Sequence, residues 1–541
     1  MNAQFINPYR FFTGAWGSHK NGFFIVDSLS AHHALRATLS PLPQAGLRGV
    51  ILTNSKPDSP ESTSSRPHLE KVLGRWDLIL LFVAAVANLN IVPAIAGAGP
   101  LTLWLWLIAL ALYFWPQGVA VTELSAIWPG EGGVYLWTKN SFGDMHGFIA
   151  AWCYWLANIV YLPTVLLSAV GVGLYIFGPE VQKLADNPQF TGFAAALLLL
   201  LLLLLNIRGE FLNKWITNLG GIGTFVGAAV LCTLAAVVLA RFGGAMHVAQ
   251  LHPHLSDWRL LAIFGTVCYS LQGLDLASIM GDEIAEPRKV LPGAILWGGV
   301  ISGFIYVGAT SSMLIAVPRE QIGMLSGVLQ TLSSLADRLH LQFIVAPVAL
   351  FEAIAILGTA SAWFSGAARL PFVAGIDRYL PSVLGRLHPR YNTPYVALTI
   401  FAILSALLIV MSNVGASVGE AFLTLLSISV VLQLVPNVYM FLALIKHARA
   451  QKGTGRSRYA FINGCSGLGA SLVGMALAFL PSDETPHIFS YEIKLISAFL
   501  IVVGSALLLY ARAWRNKQKG IGPGFLHEEI GEERREELEV L

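Results

Sequence analysis

The sequence predicts an all-α integral membrane protein of twelve transmembrane helices, and three observations carry that reading. Of 541 residues, 55% are hydrophobic and only 12% are charged, about half the charged share of a soluble globular chain. So few charges cannot cover a water-facing surface, and most of the chain must face lipid or itself. From Arg75 onward, apolar stretches of the ~20 residues needed to cross a bilayer follow one another. Lysine and arginine, finally, are distributed unequally between alternate loops, as the orientation of such a protein requires.

Three regions follow from composition. Residues 1–70 are rich in Ser, Pro and Asn, with one short apolar patch at Gly22–Val26. No charged leader runs into an apolar stretch of ~7–15 residues there, so a signal peptide is not expected. The region reads as a mostly disordered cytoplasmic extension. Residues 71–515 hold the helical domain. Residues 516–541 form a charged cytoplasmic tail, with Glu528, Glu529, Glu532, Glu533, Arg534 and Arg535.

The segments fall near 76–97, 101–128, 143–177, 190–207, 212–241, 257–281, 291–317, 342–376, 394–411, 417–445, 462–480 and 489–513, numbered here 1 to 12. Several exceed the bilayer thickness, which implies tilt or re-entrant ends. The nine leucines 197–205 of segment 4 read as lipid-facing filler. With the N-terminus inside, the inner loops carry Lys139, Arg208, Lys214, Arg288, Lys289, Arg378, Arg386, Arg390 and five cations between Lys446 and Arg458. The outer loops carry only Lys183, Arg241, Arg259, Arg319, Arg338 and Lys494. This places both termini in the cytoplasm of a multi-pass protein of the cell (plasma or inner) membrane. An even number of spans is then needed, and twelve fits.

Two segments are interrupted at membrane depth. Segment 1 carries Asn88-Leu89-Asn90-Ile91-Val92-Pro93, two amides and a proline, with Gly97 and Gly99 close behind. Segment 6 carries Asp275 between Gly273 and Gly281. Backbone groups in lipid must be satisfied internally, so such breaks occur only where they are buried or line a cavity. Segments 1 and 6 occupy equivalent positions in two five-helix halves of opposite orientation. Paired interruptions there point to a substrate site.

Longer motifs add a resemblance. Ala120-Val121-Thr122-Glu123-Leu124 precedes Pro129-Gly130-Glu131-Gly132-Gly133-Val134-Tyr135-Leu136-Trp137. Gly273-x-Asp275-x-Ala277-Ser278 leads to Gly281-Asp282-Glu283, Pro287-Arg288-Lys289 and Pro292. Ala368-Arg369-x-Pro371 runs through Asp377-Arg378-x-Leu380-Pro381 to Pro389 and Thr393-Pro394. Over roughly residues 72–515 the chain resembles the amino acid–polyamine–organocation permeases. The resemblance implies a five-plus-five inverted-repeat, leucine-transporter-like fold with helices 1 and 6 broken, and a secondary transporter working by alternating access. It also implies that amides at the helix 1 break hold the substrate carboxylate, while helix 6 carbonyls and side chains hold its amine, in accord with the polarity of helix ends. Many members carry Gly-Ser-Gly at the first break, where this chain has Asn88, Asn90 and Pro93.

The substrate-binding set expected from these features is Asn88, Asn90, Ile91, Gly273, Asp275, Ala277 and Ser278. Asp275 stands out because a charge inside a span is costly; it either meets a substrate amine or a proton, or caps the restarting helix. Thr359, Ser361 and Ser365 of segment 8 offer hydroxyls of the type that helps carbonyls hold sodium. Proton coupling through Asp275, sodium coupling and ion-free exchange all stay open. In some family members a lysine of segment 5 replaces a sodium ion, but this chain has Gly221 there, among glycines that let helices approach closely. Tyr154 and Trp363 are gate candidates, with Trp155, Tyr161 and Phe364 beside them. Glu123 is placed near the cytoplasmic end of segment 2, within reach of a loop cation. Glu352 is placed toward the outer side of segment 8, on an access path or at the rim.

The substrate class is a small molecule, an amino acid or alternatively a polyamine or other cationic amine. A channel or a non-transporting membrane sensor are the rivals from other classes. A net charge of +3 does not suggest nucleic-acid binding. No enzyme motif of the HExxH kind occurs, and no cofactor is expected. The histidines His247, His252 and His254 bunch in one loop at spacings that make a weak metal signal, so no metal site is assigned. Cys153, Cys232, Cys268 and Cys465 form no CxxC pair and read as four buried lone thiols.

Overall fold

The computed structural model describes residues 75–518, apart from 129–131, 245–260, 280–286, 319–320, 377–378, 413–417, 452 and 481–487. The chain divides into two units, Met1–Ser64 and Ser65–Leu541; the first lies outside the described residues, as do residues 519–541 of the tail and the loop histidines. Among the described residues every regular element is helical.

Among the described residues, ten helices are long and apolar enough to cross a membrane; of the twelve segments expected, 6 and 9 are not among them. The difference lies in two segments. Segment 9 is the shorter apolar helix Tyr395–Met411, about 26 Å long at 1.5 Å per residue. Among the described residues of segment 6, the helices Phe264–Ser270 and Leu276–Ile279 are each too short to span a membrane. The other boundaries lie near those read from hydropathy, because the apolar length that lipid demands is written directly in the sequence. Among the described residues, the longest helices outside the spans that escaped that reading are Val134–Phe142 and Gly327–Arg338.

Segment 1 is the most enclosed of the ten, with 94% of its apolar window buried against 17% for segment 12. It packs on segments 5, 7 and 8, while segment 8 packs on 3 and 5 and segment 10 on 3 and 11. The first helix of segment 6 lies against segments 10 and 11. Lipid tails are as apolar as leucine, so helices in a membrane associate through close backbone approach at small residues. Segments 5 and 8 do this where Gly220 meets Gly358: a Cβ on Gly220 would stand 2.7 Å from the Gly358 Cα. The segment 4 leucines do not all face outward. Leu197, Leu200, Leu201 and Leu204 are exposed while Leu199 and Leu202 are buried, the split that a helical period imposes. Nor are all four thiols buried: Cys153 and Cys268 are, Cys232 is half-buried and Cys465 is exposed.

Candidate functional site

The helix Arg75–Val86 of segment 1 stops, a 3-10 turn follows at Leu89–Ile91, and a short helix resumes at Val92–Ala96. Pro93 has no N–H to return to the preceding turn. The Asn88 amide donates to the Ala85 carbonyl at 3.0 Å and so occupies the end of the first helix. A helix end frees carbonyls that need partners, and neighbouring segments supply them. The Thr359 hydroxyl donates to the Ala84 carbonyl at 2.6 Å, and the Trp363 indole Nε1 donates to that of Ala85 at 3.0 Å.

Segment 6 stops at Ser270 and resumes at Leu276. Between them Gly273 adopts φ of +126°, open to glycine and strained for other residues. A Cβ there would lie 3.2 Å from the Ala85 carbonyl carbon, so the two interruptions touch backbone to backbone. Leu276–Ile279 is short: the Asp275 carbonyl accepts from the N–H groups of Ser278 and Ile279 and from the Ser278 hydroxyl, the last at 2.6 Å. The backbone of Ala277 lies in this helix; its side chain is outside the described residues.

One side chain joins the two interruptions. The Tyr306 hydroxyl of segment 7 accepts from the Asn88 N–H at 2.9 Å and is poised to donate to the carbonyls of Ser270, at 2.7 Å, and Val86. Its ring stacks on Trp106, centroids 4.3 Å apart, and the Trp106 Nε1 donates to the Thr310 hydroxyl at 3.0 Å. Nothing in the run Gly303–Gly308 sets Tyr306 apart in the sequence, since its importance comes from partners 36 and 220 residues away.

Asp275 is fully buried, and neither carboxylate oxygen has a hydrogen-bond partner among the described residues. It therefore does not cap the helix it precedes. Tyr113 and Tyr154 lie within reach of its charge, and Tyr154 approaches it without closing a hydrogen bond. Other buried polar groups of the two interruptions and the segments beside them also lack partners among the described residues: Asn88 Oδ1, Asn90 Nδ2, both amide atoms of Gln272, Gln433 Nε2 and the Tyr161 hydroxyl. Tyr161 stands beside Asn90 and meets the Tyr269 ring edge-on at 5.4 Å. Buried polar groups in folded proteins are ordinarily paired, so such a collection calls for a ligand or water. Tyr113 reaches the site from a π-helical turn, Leu110–Phe114, a distortion that recurs at functional sites. Sequence reading missed it; Pro116, three residues on, was the available signal.

Segments 1 and 6 thus bring together Asn88, Asn90, Gly273 and Asp275, with Ile91 fully buried at the start of the second helix. The gate candidates Tyr154 and Trp363 lie beside one another, rings 6.4 Å apart. Trp155 packs between Trp152 and Phe401, and Phe364 packs on Phe401 at 5.0 Å. Of the segment 8 hydroxyls only that of Thr359 bonds to segment 1. Ser361 pairs with Asn213 and accepts from Asn206 at 2.9 Å, while Ser365 accepts from the Arg369 guanidinium at 2.7 Å. Glu123 does meet a cation, though one in the first turn of the helix Gly455–Ala478 and not in a loop: both its oxygens accept from Arg456, the shortest contact 2.7 Å. Glu352 is not at a rim but buried, 2% exposed.

A protein-family model described as "Amino acid permease" matches residues 73–506. An uncharacterized transporter of Legionella pneumophila is 25% identical over 453 residues, covering 81% of this chain and 96% of that protein. A probable agmatine/putrescine antiporter of Lactococcus lactis is 20% identical over 383 residues, 70% of this chain and 80% of that one. The crystal structure of MhsT in complex with L-phenylalanine superposes with a TM-score of 0.56 at 15% identity, over 82% of this chain and 99% of that one, a likeness of fold. With interrupted segments meeting at a buried carboxylate and the family model spanning most of its length, this chain is a multi-pass membrane protein of the amino acid permease family.

Proposed function

We propose that the chain is a secondary active transporter that moves amino acids by alternating access, its substrate held where segments 1 and 6 are interrupted. The observation that carries the reading is Asp275: a fully buried carboxylate at the second interruption, both oxygens without a protein partner, set against the first interruption. An uncompensated carboxylate in a membrane interior favours a cationic group or a proton. The unpaired donors Asn90 Nδ2, Gln272 Nε2 and Gln433 Nε2 are suited to an anion, and together with Asp275 they match the two ends of an amino acid. Transporter relatives support a carrier in preference to an enzyme, channel or sensor. On this reading twelve helices form two inverted halves of five plus two further helices, with both termini cytoplasmic. Residues 71–515 make the transporting unit, flanked by the extensions 1–70 and 516–541.

A polyamine or cationic amine is the second reading, favoured by the absence of any buried cation bonded to Asp275 among the described residues and by similarity to the probable agmatine/putrescine antiporter of Lactococcus lactis. For coupling, Thr359 is the segment 8 hydroxyl placed on the first interruption, and Asp275 is the proton candidate. Counterflow into proteoliposomes with phenylalanine, alanine, arginine, agmatine and putrescine tests the whole reading. Wild-type protein should exchange at least one saturably, and Asp275→Asn should lose it while remaining folded in the membrane. Unitary conductance in place of saturation, or normal exchange by Asp275→Asn, would sink it. Replacing sodium with potassium at clamped pH separates the two ions.

A further inference from the structure

Segment 8 carries a second buried carboxyl that the substrate site does not use. Glu352 lies seven residues into Val345–Ile376, about 10 Å along the helix. It is 2% exposed, and its Oε2 has no hydrogen-bond partner among the described residues. It faces the glycine-lined face of segment 5. A Cβ on Gly227 would stand 2.6 Å from the Glu352 Oε2, and one on Gly223 would stand 2.5 Å from the Phe351 carbonyl. Only glycine at 227 leaves the carboxyl its place.

Packed elements bring no compensating charge. Segment 5 carries Lys214, Cys232 and Arg241, segment 1 carries Asp77, segment 3 carries Asp144, His146, Cys153, Tyr154, Tyr161 and Tyr175, segment 9 carries Tyr395, and Gly327–Arg338 carries Asp337 and Arg338. Lys214 is taken by Asp77 at 2.8 Å, and none of these groups forms an ion pair or hydrogen bond with Glu352 among the described residues. A carboxylate buried without a counter-ion costs several kcal/mol, whereas a protonated carboxyl costs far less. The closed contact between segments 5 and 8 therefore holds the neutral form. Parting of the two helices would admit water and let the proton leave.

We propose that Glu352 is a proton-binding site, separate from the substrate site, that gains its proton as segments 5 and 8 close and releases it to water as they part. The proton arrives from water on one side of the membrane and leaves to water on the other, with no other bond made or broken. Thr359 and Trp363 lie on the same helix and hold the Ala84 and Ala85 carbonyls, so movement of segment 8 is transmitted to the segment 1 interruption. The coupling part of the proposal rests on the transporter reading; the protonation part does not.

Two measurements on Glu352→Gln, which keeps the shape, test it. Infrared spectra of the purified protein without substrate should show a protonated-carboxyl band at neutral pH that the variant lacks. Identical spectra would overturn the proposal. In proteoliposomes, with whichever of phenylalanine, alanine, arginine, agmatine or putrescine the wild type exchanges, the variant should retain counterflow and lose at least tenfold of the accumulation driven by a pH gradient. Full retention of that accumulation, or loss of counterflow as well, would overturn it. Failure of wild-type counterflow would strike the transporter reading instead, while the infrared result would still decide the protonation site.

Discussion

Replacing Tyr306 with phenylalanine removes one oxygen atom and keeps the ring that stacks on Trp106 at 4.3 Å. The lost hydroxyl is the acceptor for the Asn88 N–H and the donor shared by the Val86 and Ser270 carbonyls. Leaving a buried backbone group without its partner costs about 1–3 kcal/mol. Here the Asn88 N–H keeps a second contact, to the Val86 carbonyl at 2.8 Å, and the single hydroxyl proton serves one carbonyl at a time. The lower part of the range applies, about 1–2 kcal/mol, or roughly 5- to 30-fold. Because all three groups sit at the interruptions, the cost should appear at the proposed substrate site. Tyr306→Phe should reach the membrane at normal levels and weaken substrate affinity by that factor, as read by saturation of counterflow and by substrate-induced thermal shift. Affinity within twofold of wild type would refute the reasoning that this hydroxyl organises the two interruptions.

Two further outcomes follow from contacts away from the site. Glu123 is buried while its partner Arg456 is half exposed, so Arg456→Met removes a guanidinium that meets both oxygens of a buried carboxylate and should lower the unfolding temperature of the purified protein, whereas adding Glu123→Gln should restore part of the loss. Gly220→Ala places a methyl 2.7 Å from the Gly358 Cα; overpacking of that kind costs about 1–3 kcal/mol, and an unchanged unfolding temperature would show that segments 5 and 8 are not closely apposed.

Much of the architecture was legible because lipid imposes simple rules. Ten apolar helices appear close to where hydropathy put them, since a bilayer requires a certain apolar length. The positions of the interruptions were legible for a related reason: Asn88, Asn90 and Pro93, or Gly273 with Asp275, are residues that a continuous lipid-facing helix does not use. Asp275 was marked by its charge alone. The helix Gly327–Arg338 was missed because it is too polar for a span and its amphipathic pattern lies between two spans.

What only the tertiary structure decided is which side chains reach those interruptions. Inside a membrane protein both the lipid face and the packed face of a helix are apolar, so hydropathy does not say which way a tyrosine, serine or glutamate points. Thr359, Ser361 and Ser365 looked equivalent in sequence, yet one bonds segment 1, one bonds Asn213 and one receives Arg369. Tyr306 carried no sequence mark, Tyr113 only the nearby Pro116, and Glu352 read as an access-path or rim residue until its helix was set against Gly227. The sequence by itself determined that the chain spans a membrane repeatedly, where two of its segments are interrupted, and that a carboxylate lies at the second. The packing determined that the two interruptions meet around Tyr306 and that the Asp275 carboxylate has no hydrogen-bond partner among the described residues, because those facts depend on distances between residues far apart in the chain.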